Sequence, residues 1–411
     1  MAVYPRHVRP DVVEALSDTR VVVLLGARQV GKSTLATGIA QETDAATVLT
    51  LDDQATRESA MNDPTGFIGD MRVPAVIDEI QRAPAALLAI KRRVDADPTP
   101  GQFLLTGSAN ILTAPRIADA LTGRAEYHRL SPLSQGELRE TRETFIPRLF
   151  HGEAPSTNEQ PAGRRPYASL MAAGGYPEAR LREGKRRMRF FDSYLETIIQ
   201  RDLSTVANVQ DRHAVRRLLG AFAATSGSLV NHNSLARDLG VNLKTVQAHT
   251  DLLETLFLVR RLPPYSANLL NRAVKTPKGY VTDSGLLAFL LGADEERIVT
   301  DHGVAGTMFE TFAVMELLRQ SDWQDQPTRP YHYRDKDGRE VDLVLERQSG
   351  DVVGVEVKAA ASVSPSDFSG LRHLRDKLGP RFRGGAVLYS GEGTVPFGDR
   401  LFAVPLSGLW A

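Results

Sequence analysis

The stretch VVVLLGARQVGKST, residues 21–34, decides the fold. Its opening run is apolar and unbroken, as a strand buried on both faces of a sheet reads. Gly26, four intervening residues and then Gly31, Lys32 and Ser33 reproduce the spacing of a phosphate-binding Walker A loop, and LATGIAQE continues as a helix. The chemistry needs these residue types. Glycines let the backbone curl so that the N–H groups of the turn, from Gln29, Val30 and Gly31 through Thr34, face a phosphate. Lys32 reaches the β and γ oxygens, and the Ser33 hydroxyl ligates Mg2+. The cofactor this predicts is ATP with Mg2+.

Working outward, VPAVIDEIQ (73–81) is a second buried strand that ends in two acids. Asp78 is placed to hold Mg2+ through water, and Glu79 to polarise an attacking water, a pairing that suggests hydrolysis rather than binding alone. A third strand, QFLLTGSAN (102–110), ends in Ser108 and Asn110. These either hold the γ-phosphate or the water, or cap the segment that follows.

Composition limits the remaining answers. The chain has 411 residues, room for two or three domains, and an apolar content of 42%, ordinary for a globular protein. Lys plus Arg and Asp plus Glu both number 50, so a nucleic-acid partner must be met by a local basic surface. The absence of cysteine excludes disulfides and thiolate zinc sites and suits a reducing cytoplasm. MAVYPRHVRPDVVEALSD lacks the apolar core of a signal peptide, and no long apolar run occurs, so the expectation is a soluble cytoplasmic protein with no membrane partner.

With these strands in place, the chain resembles an AAA+ ATPase. It is most similar to the prokaryotic subfamily in which an AAA+ core is fused to a C-terminal domain of unknown function. The residues that carry the likeness are GARQVGKST, VIDEIQ, LLTGSAN, LTGRAEYHRLSPLSQGE (121–137), GGYPEA (174–179) and YLETIIQRDL (194–203). The resemblance implies assembly into a homo-oligomer, with a hexameric ring as its usual form, because such sites sit between subunits. It also implies an arginine supplied by a neighbouring subunit or a lid, and Arg124 stands in the matching position.

Residues 151–166, HGEAPSTNEQPAGRRP, are polar and rich in Pro and Gly, and read as a mobile loop leading into a helical lid. REGKRRMRFF (182–191) in that lid is either a phosphate-contacting surface or a solvated helix face. NSLARDLGVNLKTVQAHTDLLETLFLVRRL then gives a helix with Leu235, Ala236 and Leu239 inward and a turn at Gly240. A second helix follows with Leu243, Val246, Leu252, Leu253 and Leu256 inward. This is a helix-turn-helix, with a short β-wing expected in FLVRRLPPY. Lys244, Thr245, Gln247 and His249 lie near the start of the second helix, where DNA bases or phosphates are met.

The last part reads as a helix at 303–320, strands at 329–335, 340–346 and 351–358, a helix at 366–379 and a strand at 384–390. That order, αβββαβ, resembles the restriction-endonuclease-like core. In that family the metal ligands come from the second strand and from an acid, one residue and a lysine on the third. Here those positions hold Asp342, Glu356 and Lys358, and Glu310 matches an extra acid carried on the first helix. Two carboxylates suit Mg2+ or Mn2+, and a lysine beside the metal steadies developing charge. Asp283, in GYVTDSGLLAFLL, is read as a helix cap.

The expected fold is therefore α/β, in four parts. A P-loop AAA+ core occupies 1–150, a mobile loop and helical lid 151–211, a winged helix-turn-helix 212–264 and a restriction-endonuclease-like domain 265–411. Two functions stand at this point: an ATP-driven metal-dependent DNA nuclease, or a DNA-remodelling motor or ATP-dependent switch whose C-terminal domain binds without cutting.

Overall fold

Val21–Leu25 forms β1, and none of its residues is more than 6% exposed, as the unbroken apolar run requires. The computed structural model describes residues 4–43, 45–108, 121–155, 157, 161–202, 211–266 and 276–411. Two compact units result, Arg6–Pro132 with Thr255–Phe257, and the rest of the chain. Asn110 and part of the 151–166 loop lie outside the described residues.

In the first unit β1 is joined by β2 (Thr47–Thr50), β3 (Ala75–Asp78), β4 (Phe103–Gly107) and β5 (Ala125–Arg129). All pairs are parallel, and the order is β2-β3-β4-β1-β5. Parallel pairing brings the carboxyl ends of β1, β3 and β4 to one edge, where ligands of open α/β sheets bind. The helix Lys32–Glu42 starts directly from the loop after β1. Gly26 is required by close approach rather than by φ: a Cβ there would lie 2.1 Å from the Leu130 carbonyl oxygen. The boundary expected at 150 falls at Pro132, and the helices Gln135–Arg139 and Phe145–Phe150 belong to the second unit.

The second unit holds the expected lid helices Arg165–Ala173, Pro177–Arg180 and Gly184–Thr197. The helix pair follows as His232–Leu239 and Leu243–Thr255, with Gly240 left-handed at φ 66° between them. Asn231 and Asn242 cap the two helices through Ser234 N and Thr245 N, at 3.0 and 2.8 Å. Val246, Leu252, Leu253 and Leu256 are buried as expected. Leu243 is not: at the first position of its helix nothing lies over it, and it is 38% exposed. Leu235, Ala236 and Leu239 are only half-buried. Strands β6 (Ser228–Leu229), β7 (Val259–Leu262) and β8 (Lys278–Val281) make a small antiparallel sheet in the order β6-β8-β7.

The C-terminal elements appear in the expected order. The helix His302–Ser321 leads to β9 (Thr328–Arg334), β10 (Glu340–Arg347), β11 (Val352–Val357), the helix Ser369–Leu378 and β12 (Phe382–Tyr389). Two further strands, β13 (Val395–Pro396) and β14 (Leu401–Pro405), extend the sheet to β13-β14-β12-β11-β10-β9. An apolar cluster that includes Val341, Val344, Phe368, Leu371 and Val387 packs the helix Ser369–Leu378 onto this sheet. Among the described residues no helix is long and apolar enough to cross a membrane.

Buried charge ties these parts together. Arg319 donates to Leu133 O at 3.2 Å, Glu316 Oε2 at 3.1 Å, Thr282 O at 3.3 Å and Asp283 Oδ2 at 3.4 Å. Asp283 caps its helix through Leu286 N, as expected, and also accepts from Gly175 N at 2.7 Å. Glu316 accepts from Gln135 N. Burial pushes Glu316 up to about 7, against the pull of Arg319.

A carboxyl raised in the folded state favours folding fully below its unfolded value and loses that contribution as pH rises through about 7. Glu316→Gln is therefore expected to shrink the loss of stability between pH 5 and pH 8 by on the order of 1–3 kcal/mol. Both tryptophans, Trp323 and Trp410, lie in the second unit, so urea midpoints read by intrinsic fluorescence measure this directly. An unchanged difference between the two pH values would refute the assignment.

Candidate functional site

The loop after β1 is held open by its own backbone and by one distant arginine. Gln29 and Gly31 sit at φ 60° and 97°, so successive N–H groups turn toward the same side. Arg6 donates to Val30 O and Ser131 O, both at 2.6 Å, and so fixes the loop to the start of the segment after β5. Lys32 is 4% exposed, and its ammonium lies on the loop's own carbonyls, 2.9 Å from Gly26 O and 2.8 Å from Ala27 O. Ser33 and Thr34 are exposed at the head of the helix.

Asp78 meets this loop across the sheet edge. Ser33 Oγ donates to its two oxygens at 2.9 and 3.0 Å, and Thr106 Oγ1 donates to Oδ1. A hydroxyl and a carboxylate facing each other at this distance fit a Mg2+ ion, held by Ser33 directly and by Asp78. The next residue, Glu79, adopts the left-handed conformation at φ 58°, with its N–H on Thr106 Oγ1 at 3.1 Å. This turns the carboxylate toward the end of β4, where Ser108 Oγ donates to it at 3.0 Å and Gln81 Nε2 also binds it. Ser108 thus serves as a partner of Glu79. Thr106 was legible in LLTGSAN, two places before Ser108 on the same strand face, whereas Arg6 carries no local signal.

Arg124 is not brought to this edge within the chain. In the register, Ala125 lies beside Val21, so Arg124 stands at the end of the sheet opposite the loop. There it pairs with Asp95, with Nη2 2.9 Å from Oδ2.

Of the residues expected to meet DNA, Lys244 and Gln247 are exposed and Thr245 is half-buried, held by Asn242. His249 is a correction. It is 9% exposed on the inward face of its helix, and burial lowers its basicity, so it is not offered to a partner. In the lid's basic run Lys185, Arg186 and Arg189 are exposed, while Arg182 pairs with Glu178 and Arg187 binds backbone carbonyls.

The C-terminal set does converge. Asp342 on β10 accepts from Val357 N of β11 at 2.9 Å, and Glu356 Oε1 accepts from Lys358 Nζ at 2.8 Å. Asp342 and Glu356 are 5% and 8% exposed, and burial followed by the Asp342 charge pushes Glu356 well up. Glu310 is raised to about 7 by burial and then by Asp342. A residue missed in the sequence sits among them. Lys278 Nζ lies 2.9 Å from Glu310 Oε1, 2.9 Å from Asp342 Oδ1 and 2.6 Å from Glu340 Oε1. Burial would lower its basicity, but these three carboxylates reverse the effect and raise it. Among the described residues no group of three acids or histidines forms a metal cage, and Lys278 is the reason here. As arranged, the residues expected to hold a metal do not fit one.

Comparison with known proteins places the two ends of the chain. Residues 18–139 match the family model described as an AAA domain. Residues 164–297 and 305–409 match models described as domains of unknown function (DUF8612 and DUF4143). An uncharacterized protein of Mycobacterium tuberculosis is 29% identical over 395 residues, 95% of this chain and 81% of that protein. An uncharacterized protein of Haemophilus influenzae is 21% identical over 279 residues, 67% of this chain and 63% of that protein. The RuvB Holliday junction branch migration motor of Thermotoga maritima is 21% identical, over 62% of this chain and 89% of that chain, with a TM-score of 0.29. The chain thus joins an AAA-type ATP-binding domain to C-terminal parts of unknown function.

The close approach at Gly26 gives a direct check. Gly26→Ala is expected to weaken binding of a fluorescent ATP analogue at least about tenfold, because Cβ would collide with backbone. Gly38→Ala, in the following helix with nothing within 4 Å, is expected to leave it unchanged. Equal affinities in both variants would show that the loop does not form the nucleotide site.

Proposed function

We propose that the protein hydrolyses ATP with Mg2+ and uses the cycle to act on DNA. What carries this reading is the meeting of Lys32, Ser33, Asp78 and Glu79 at one sheet edge. Ser33 and Asp78 would hold Mg2+, which when bound neutralises phosphate charge. Lys32, lying on neutral carbonyls, exchanges them for phosphate oxygens. Glu79 orients the attacking water once its hold on Ser108 and Gln81 loosens. Arg124, remote from this loop in its own chain, serves a neighbouring subunit in a homo-oligomer, with the hexameric ring as its form. The DNA part of the reading is supported by exposed Lys244 and Gln247 at the head of the second helix of a winged helix-turn-helix, with Thr245 beside them.

A second reading, metal-dependent cutting of DNA by a restriction-endonuclease-like C-terminal domain, is favoured by one observation. Glu356 Oε2 is buried without a hydrogen-bond partner, beside Asp342 and Lys358. Buried polar atoms are ordinarily satisfied, and an orphan carboxylate oxygen in an acid cluster asks for a cation. Because Lys278 stands among these acids, the motor or switch is preferred for the arrangement described.

Two measurements test these readings. Lys32→Ala is expected to abolish ATP hydrolysis, and Glu79→Gln to keep ATP binding while lowering turnover about a hundredfold. Full turnover in either variant would refute the core assignment. Labelled single-stranded, duplex and branched DNA, incubated with Mg2+ or Mn2+ with and without ATP, is expected to stimulate hydrolysis without being cut. Cutting that is lost in Asp342→Ala would instead establish the nuclease.

A further inference from the structure

The C-terminal acid cluster already contains a cation, and that cation arrives from another sheet. Lys278 is the first residue of β8, the middle strand of the small sheet beside the helix pair. Its side chain is 2% exposed, and its ammonium touches Glu310, Glu340 and Asp342 at 2.6–2.9 Å. Tyr280, two residues on and therefore on the same strand face, donates its hydroxyl to Glu310 Oε1 at 2.9 Å. Gly227 closes the same acid from a third side: a Cβ there would lie 2.7 Å from Glu310 Oε1. One face of β8 is thus shaped to the acid on the helix His302–Ser321.

A purely structural staple would leave the cluster satisfied, and it is not. Glu356 has one oxygen on Lys358 and the other, Oε2, without a partner, although the residue is only 8% exposed. Lys278 does not supply that contact. Four carboxylates, Glu310, Glu340, Asp342 and Glu356, therefore share two ammonium groups, those of Lys278 and Lys358. Hard divalent cations are bound by such oxygen sets, at shorter distances than an ammonium can reach.

We infer that Lys278 is a removable resident cation, which closes the acid set while β8 lies against Glu310 and opens it to a divalent cation when β8 is withdrawn. This rests on the reading of that set as a cation site given above. Because β8 is the central strand of the helix pair's sheet, whatever the helix pair binds acts on the latch through it.

The test measures Mn2+ binding to nucleotide-free, full-length protein by loss of the free Mn2+ electron paramagnetic resonance signal. Lys278→Met is expected to gain one Mn2+ site per chain, at least tenfold tighter than any the unsubstituted protein shows. Adding Asp342→Asn is expected to remove it. A folded Lys278→Met variant with no gain, or a gain that survives Asp342→Asn, overturns the latch. If Lys278→Met does not fold, Glu340→Gln loosens the ammonium without touching Glu310, Asp342 or Glu356. It is expected to raise both Mn2+ affinity and reductive methylation of Lys278 read by mass spectrometry, and no change in either overturns the proposal. DNA cleavage is read on the same samples. A Lys278→Met protein that binds Mn2+ and cuts nothing sustains the latch and ends the nuclease reading, whereas unsubstituted protein that cuts DNA sustains the nuclease and ends the latch.

Discussion

Arg319 is the constraint around which the second unit is built. A guanidinium buried to 5% exposure must find acceptors along its fork, and it finds them in the 133–137 segment, in Thr282 and Asp283, and one turn back in Glu316. Asp283 and Glu316 are fully buried and reach on to Gly175 N and Gln135 N. Removing any one partner would leave an uncompensated charge in a region without water, which costs far more than the pair contributes when complete. This is why GGYPEA, LSQGE and VTDSG, far apart in the chain, are held in one arrangement. Their chemistry is structural, although in sequence they look as functional as the loop at 26–33.

The two halves of the fold differed in how far the sequence disclosed them. In the first unit every functional group hangs from a strand end, so a local motif fixes its place: Gly26, Lys32 and Ser33 follow β1, Asp78 and Glu79 end β3, and Ser108 follows β4. Thr106 was readable from strand alternation alone. The C-terminal strands were legible for the same reason, since apolar runs bounded by turns put Asp342 and Glu356 on neighbouring strands. Lys278 was not legible. Nothing in KGYVTDSG indicates that its ammonium will cross to acids 32 and 64 residues away, because that contact is made by packing two sheets and not by spacing.

Helical periodicity failed in an instructive way at the helix pair. A 3.6-residue repeat assigns faces only where both ends of the helix are covered, and Leu243 sits at an end with nothing above it. His249 was placed on the reading face by its nearness to the helix start, whereas three residues after Val246 it falls on the same buried side. The exposed face left by these corrections is Lys244 and Gln247, which share one side of the helix.

The two candidate sites each hold a lysine on oxygens of its own chain, and the difference between those oxygens separates their behaviour. Lys32 rests on two neutral carbonyls, so an incoming phosphate, with full negative charge and the same reach, displaces them without any strand moving. Lys278 rests on three carboxylates in a buried setting, where each charge pair is weakly screened. A divalent ion approaching that cluster meets a positive group already in place, so concentration alone opposes repulsion as well as geometry. The first site is thus controlled by a ligand that diffuses in, and the second by the position of a strand.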